Sequence, residues 1–168
     1  MRILLSLLLL LAATQAEAGK INQGDWELGG GFNLTHTSRK TSPATKNTSV
    51  FVYGQAQYFF LDHLSAGLDA GYSRSGSAFD STNLGPVITK YFWVDDKLAP
   101  FASMLPIQWN HTRGLGGSFS SSARVGVKYF LTDSVAVGPA FDYSHEWGSD
   151  RKPEANSFSF LGLFSIHL

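Results

Sequence analysis

The chain has no cysteine, few charges and, beyond its N-terminal stretch, no long apolar run. The missing thiols exclude a disulfide framework, a cysteine nucleophile and an anchor on a lipid-modified Cys. Only 15% of residues are charged, and the 13 basic groups balance the 13 acidic ones; soluble domains carry roughly 25%. A strongly basic surface for nucleic acid and an acidic, solvating chain are thereby both excluded. No later stretch approaches the roughly 20 apolar residues that a spanning helix needs, which rules out a helical membrane protein. What is abundant instead is aromatic residues, at 14%, and glycine, with 17 copies. Something other than water is expected to cover part of such a surface.

The N-terminus begins with Met1 and Arg2, continues through the apolar run Ile3 to Ala13, and reaches Ala16, Glu17 and Ala18. A short positive start, an apolar stretch too short to span a bilayer and a small-any-small triplet describe a secretory signal peptide. Residues 1–18 are expected to be that peptide, cleaved after Ala18, and residues 19–168 a single exported domain.

Period-two alternation runs through this domain. Trp26, Leu28, Gly30, Phe32 and Leu34 interleave with Glu27, Gly29, Gly31, Asn33 and Thr35, which describes a strand with one apolar and one polar face. Leu64 to Ser73 and Ser122 to Leu131 follow the same rule. An internal repeat strengthens the reading. YFFLDHLSAGLDAGYS, from Tyr58, aligns without gaps on YFLTDSVAVGPAFDYS, from Tyr129, at an offset of 71, and a looser copy starts at Tyr91 with one extra residue in its turn. Each copy reads as a strand end, a tight turn at Asp62, Asp95 or Asp133, and a following strand. Polar stretches rich in Ser, Thr, Asn and Gly separate the hairpins, at 36–48, 74–83, 110–117 and 145–156, and have the chemistry of loops. The predicted strands are 26–35, 50–60, 64–73, 84–92, 98–109, 119–131, 134–144 and 157–168.

VGVKYFLTDSVAVG, from Val125 to Gly138, together with its repeats, resembles the small outer-membrane β-barrel family that includes barrels of the OmpA and OmpX type. The resemblance covers the whole domain and rests on a physicochemical pattern rather than a catalytic signature. It implies an all-β, eight-stranded, antiparallel, transmembrane up-and-down barrel with short turns facing the periplasm and longer loops facing outward. It also implies a bacterial cell outer-membrane location in a Gram-negative envelope. Phe158, Phe160, Gly162, Phe164, Ile166 and Leu168 alternate up to the end, the kind of last strand the family presents to its barrel-assembly machinery. The family usually ends in Phe, whereas this chain ends in Leu168.

Periodicity alone leaves open which face is wet, since a secreted lipocalin-like ligand-binding barrel also has eight alternating strands. Charge parity favours an apolar outside. Glu27, Asp69, Arg124, Lys128 and Asp142 fall opposite the apolar residues, and Lys90 joins them if its strand is aligned with Lys128. With Gln55, Gln57 and Asn33 they are expected to form a hydrogen-bonded interior plug. Tyr58, Tyr91 and Tyr129 at the turn ends, and Tyr72 and Tyr143 at the loop ends, are expected on the outward face as interfacial belts. Between Pro100 and Trp109 neither parity is clean, and a bulge near Lys97 or Pro106 would switch the register.

No residue set announces a reaction. Ser144, His145 and Glu146 are adjacent on a strand and so point to alternate faces, which prevents a relay. His36, His63, His111, His145 and His167 show no metal-ligand spacing, and Gly29 to Gly31 and Gly114 to Gly117 lack the Lys and helix of a phosphate loop. The expectation is therefore a non-enzymatic integral outer-membrane protein with no catalytic, cofactor-binding or metal site and no cofactor. Its role would be structural or surface-interacting. Outer-membrane lipid and lipopolysaccharide would contact cationic loops carrying Arg39, Lys40, Lys46, Arg151 and Lys152, and a surface partner could bind the loops. The alternatives are a narrow channel or small-molecule transporter, and a lipid-modifying outer-membrane enzyme.

Overall fold

The computed structural model describes residues 21–39, 45–75, 79–92, 97–114, 116–148 and 154–168. The cleavage point after Ala18, the turn at Asp95 and the loop cations Lys40, Arg151 and Lys152 lie outside them. Eight strands run in chain order: β1 (Trp26–Arg39), β2 (Thr45–Leu61), β3 (Leu64–Ser75), β4 (Phe79–Tyr91), β5 (Leu98–Thr112), β6 (Gly116–Phe130), β7 (Val135–Glu146) and β8 (Ala155–His167). Each pairs antiparallel with its chain neighbours, and β1 pairs with β8 to close the barrel. This is the expected up-and-down architecture. Closure satisfies the strand edges that an open sheet would leave exposed.

The strands reach further toward the loops than the hydrophobic pattern does. β4, for example, starts at Phe79 instead of at 84, and β1 continues to Arg39. Polar pairs support such extensions. The Tyr72 hydroxyl donates to Asp80 Oδ1 at 2.9 Å, and Arg74 Nε stands 3.9 Å from the same carboxylate oxygen. At the other end the β2–β3 turn is tight, with His63 in the left-handed region at φ 61°.

Leu28, Phe32, Val52, Leu68, Leu84, Val125, Phe141 and Phe160 all point outward and are exposed, and together with their neighbours they ring the whole barrel. A soluble protein does not tolerate an apolar band of that extent, whereas hydrocarbon does. Trp26, Tyr58 and Tyr129 sit outward near the turn ends, and Tyr72, Tyr143 and Trp109 outward toward the loops.

Two expectations about the faces fail together. Tyr91 is buried inside the barrel rather than placed in the turn-side belt, and Lys90, although itself buried, contributes no hydrogen bond or ion pair to the Glu27 cluster among the described residues. The β3–β4 register sets Ser65 against Thr89 and Leu64 against Lys90. Thr89 and Tyr91 therefore share the inward face, and Lys90 takes the parity of Leu64 and Ile88. The looser repeat copy is thus one step out of phase with the Lys128–Tyr129 copy, and a one-residue shift exchanges faces along the entire strand.

The unassigned stretch of β5 is settled by a bulge. Pairing with β6 shifts between Leu105 and Gln108, and pairing with β4 shifts between Leu84 and Ile88. Ala99, Phe101, Ser103 and Leu105 point in, Pro106 and Ile107 are both exposed, and Gln108 points in again. Of the two positions considered, the break is at Pro106, whose missing N–H cannot serve a ladder.

Candidate functional site

The interior divides into a sealed half at the turns and an open polar cup at the loops. The seal is built around Glu27, which is fully buried. Lys128 Nζ and the Tyr91 hydroxyl both donate to its carboxylate, Gln55 Nε2 donates to Oε1 at 2.9 Å, and Lys128 Nζ also donates to Tyr91 Oη at 2.6 Å. His167 Nε2 stands 3.9 Å from Glu27 Oε2. A buried carboxylate is tolerable only when paired and hydrogen-bonded, and β1, β2, β4, β6 and β8 all contribute to meeting that need.

Below this cluster an apolar stopper fills the turn end. Phe59, Phe130, Ala99 and Ala136 pack with Ile21, which precedes β1 and is fully buried. The chain is folded back under the barrel by Gly24 N–H donating to Phe59 O at 2.8 Å and Gln23 N–H donating to Asp62 Oδ1 at 2.8 Å.

Above it lies a second ionic layer. Arg124 Nε donates to Asp142 Oδ2 at 3.0 Å, its Nη1 stands 3.6 Å from Asp69 Oδ2, and its guanidinium lies 4.1 Å from the centre of the Tyr53 ring. Planar stacking on an aromatic face with a carboxylate on the edge suits arginine and not lysine. Gly31 admits the Tyr53 ring, because a Cβ there would stand 2.6 Å from it; Gly126 does the same for Phe101, at 2.8 Å. The space left between the two ionic layers is about 10 Å³, barely the room one water requires. No conduit crosses the described part of the lumen.

The cup above the Arg124 layer is larger, about 410 Å³, and opens toward the loops. Its wall is hydroxyl and amide: Ser73, Asn83, Gln108, Asn110, Ser122 and Ser159 among others. Several of these groups bind one another, as Asn110 Nδ2 does in donating to Ser120 Oγ at 2.9 Å. Its charges are Asp69, Asp142 and Glu146 against Arg124, and Ser118 donates to Glu146. The cup can hold water or a small polar group, and its balance is anionic.

Of the expected interior plug, Glu27, Asp69, Asp142, Arg124, Lys128, Gln55 and Gln57 are in place, and Asn33 Nδ2 donates to Phe160 O at 2.7 Å on the barrel wall. The serine-histidine-glutamate triplet is split between faces. Ser144 pairs with Ser157 inside at 2.6 Å, while His145 Nδ1 meets Asn156 Oδ1 at 2.9 Å and its Nε2 lies 3.6 Å from Glu154. Among the described residues no His, Cys, Asp and Glu cluster has metal-site geometry. Sequence reading missed the inward Tyr53, Tyr91 and His167 and the role of Ile21. For the first and third, the parity of β2 and β8 already carried the signal; Ile21 lies outside any periodic segment.

The fold recurs among solved outer-membrane proteins. The N-terminal β-barrel domain of Pseudomonas aeruginosa OprF matches with a TM-score of 0.61 at 14% identity, covering 87% of this chain and 98% of that one. Neisserial surface protein A matches with a TM-score of 0.61 at 14% identity over 86% and 97% of the two chains. The outer membrane protein OprG from Pseudomonas aeruginosa reaches 0.52 at 13% identity over 90% and 99%. At such identities the likeness is one of fold, that of the small eight-stranded outer-membrane barrels. No family model matches the chain, and no curated protein matches it.

Proposed function

We propose that this chain is a non-enzymatic integral protein of a bacterial outer membrane, a sealed barrel that contributes to the envelope and presents its loops to the exterior. The observation that carries this reading is the turn-side seal, in which the Glu27, Lys128 and Tyr91 cluster and the Ile21 stopper leave no passage. The outward apolar ring and the shared fold support the membrane placement. Residues 1–18 would direct export and be removed, and the alternating last strand would engage the barrel-assembly machinery. Arg39, Lys40, Lys46, Arg151 and Lys152 would place cationic loops among the anionic head groups of lipopolysaccharide.

The test is reconstitution of the purified barrel in planar bilayers, alongside a gel comparison of boiled and unboiled samples. The expected result is a heat-dependent mobility shift without unitary conductance. Stable conductance steps would overturn the sealed-barrel reading in favour of a narrow channel. Lipid A of a new mass in cells expressing the protein would overturn the non-enzymatic one.

A further inference from the structure

β1 and β8 hold each other over only part of their length. They pair from Glu27–His167 as far as Phe32–Gly162, whereas β1 continues on β2 up to Arg39 and β8 on β7 back to Ala155. The break falls where the Phe32 ring lies over Gly162, so close that a Cβ there would stand 3.2 Å from it. Beyond that point each strand keeps one neighbour and presents an open edge. Trp26 and Leu168 exchange both backbone hydrogen bonds, and in an antiparallel ladder every second residue repeats that arrangement. The N–H and C=O groups directed at the open side are therefore those of Leu34, His36 and Ser38 on β1 and of Phe160, Phe158 and Asn156 on β8. In place of the ladder, Asn33 Nδ2 donates to Phe160 O at 2.7 Å.

The open edges begin within the hydrocarbon. Leu34, Phe158 and Phe160 point outward and are 68%, 82% and 57% exposed. Phe158 packs on Tyr143 of the loop-side belt at 4.9 Å between ring centres, and Phe160 lies one outward position deeper on the same strand. An outward cleft of about 470 Å³ between Phe32, Leu34, Phe158 and Phe160 marks the stretch. Sheet edges left open to lipid are not sustained, because no water is present there to replace the missing ladder. These edges call for another strand, and an apolar surface alone does not meet that need.

The strand that fits is specified by the chain itself. The open edge of β1 is matched in direction, register and alternation by the open edge of β8, since the two already pair in that register on the turn side. A second copy upright in the same membrane presents both edges at once. A two-fold axis along the membrane normal sets its β8 antiparallel against β1 of the first copy and its β1 against β8, which gives a closed, isologous contact. We propose that two copies of this chain associate seam to seam and exchange the loop-side ends of β1 and β8, so that Leu34 of each copy pairs with Phe160 of the other. The turn-side ends stay paired within each chain, from Glu27–His167 to Phe32–Gly162. Phe32, Leu34, Phe158 and Phe160 of the two copies supply the apolar contact around the junction. This dimer rests on the outer-membrane placement proposed above and goes beyond it.

The chain has no cysteine, so an introduced thiol reports on one position. Leu34→Cys and Phe160→Cys variants are folded into phosphatidylcholine vesicles, each alone and both together, and oxidised with copper phenanthroline. Opposed residues of such a pair stand about 5.5 Å apart at Cα, within the reach of a disulfide. The mixture is expected to give a reducible band of twice the barrel mass, at least about tenfold stronger than either variant alone, because each thiol faces the other kind across the two-fold axis. Leu68→Cys, outward on β3, gives the collision background. A variant with both thiols is expected to cross-link between chains and not within one. In the unmodified chain, the Leu34 and Phe160 amides are expected to exchange about tenfold faster once excess lipid dilutes the copies apart, while those of Gly30 and Phe164, in the paired part of the seam, do not change.

A disulfide within one chain of the double variant, or Leu34 and Phe160 amides protected at every dilution, would show a seam that zips in the single barrel and overturn the proposal. Amides that exchange fast at every dilution would leave the edges to water or lipid and overturn it as well. So would a mixture that cross-links no better than the single variants or the Leu68→Cys background. All of these outcomes leave the membrane barrel standing. Failure of the unmodified chain to insert into the vesicles would overturn the membrane reading and this one with it.

Discussion

Replacing Lys128 with Met removes one half of the pair on which the seal is built. Lys128 and Glu27 side chains are 3% and 0% exposed, so the orphaned carboxylate cannot recover its lost partner from water. Removing one partner of a buried pair typically costs about 3–5 kcal/mol, because an uncompensated charge remains. The Tyr91 and Gln55 hydrogen bonds to Glu27 persist, which places the expectation near the lower end, about 3 kcal/mol. The double variant Glu27→Gln with Lys128→Met should recover a large part of that loss, since a neutral amide needs only ordinary hydrogen bonds. Arg74→Ala supplies the contrast. Its pair with Asp80 spans 3.9 Å with side chains 64% and 39% exposed, and such pairs contribute about 0–1 kcal/mol. Reversible urea unfolding in lipid vesicles, followed by tryptophan fluorescence and checked by the gel mobility of the folded form, measures all of these. A Lys128→Met loss no larger than that of Arg74→Ala, or a double variant no better than the single one, would refute the argument that this pair holds the turn-side half together.

Tyr91→Phe should destabilise the barrel by about 1–2 kcal/mol, because Glu27 loses a donor in a dry environment. Tyr129→Phe, on the outward face, should change it by less than about 0.5 kcal/mol, and the same unfolding assay reads both. Leu68→Lys places a charge in the middle of the outward band of β3, where Leu68 is 59% exposed, and should cost about 2–4 kcal/mol in lipid; a neutral effect would mean that this face is wet. Gly31→Val drives a branched side chain into the Tyr53 ring, and the resulting overpacking should lower stability by about 1–3 kcal/mol or more, with full-length protein failing to gain the folded mobility if the ring cannot move.

The strands were legible because each one crosses between two solvents and must therefore alternate. Leu28, Phe32 and Glu27 declare their faces without reference to any other strand. The phase of β4 was harder to read, because its turn-side end holds Lys90 and Tyr91 next to one another and either can be turned inward at a cost. The neighbouring strand decides the matter: Leu64 faces out, Lys90 sits opposite it, and Tyr91 is left to reach Glu27. β5 was ambiguous for a different reason. A bulge at Pro106 and Ile107 adds one residue to the outside, and a pattern that counts in twos has no place for it.

The site was much less legible, for reasons of chain distance and of chemistry. Glu27 and Lys128 meet across a separation of 101 residues, so their pairing is a property of barrel closure and not of any segment. The cup is assembled from single serines and amides on six or more strands, residue types that on any one strand read as ordinary polar filling. The end of β1–β8 pairing at Phe32 and Gly162 is subtler still. Nothing in Asn33, Leu34 or Phe160 taken singly distinguishes a seam that closes from one that parts, since hydrogen bonding across it is decided by how far the twist and shear of all eight strands carry β1 from β8. An eight-stranded barrel has just enough interior to be filled by its own side chains. This one fills the turn half with charge and aromatic rings and leaves the loop half to serines. Small side chains where large ones would fit are themselves a structural choice, and they put the roughly 410 Å³ cup at the loop end, where β1 and β8 no longer pair.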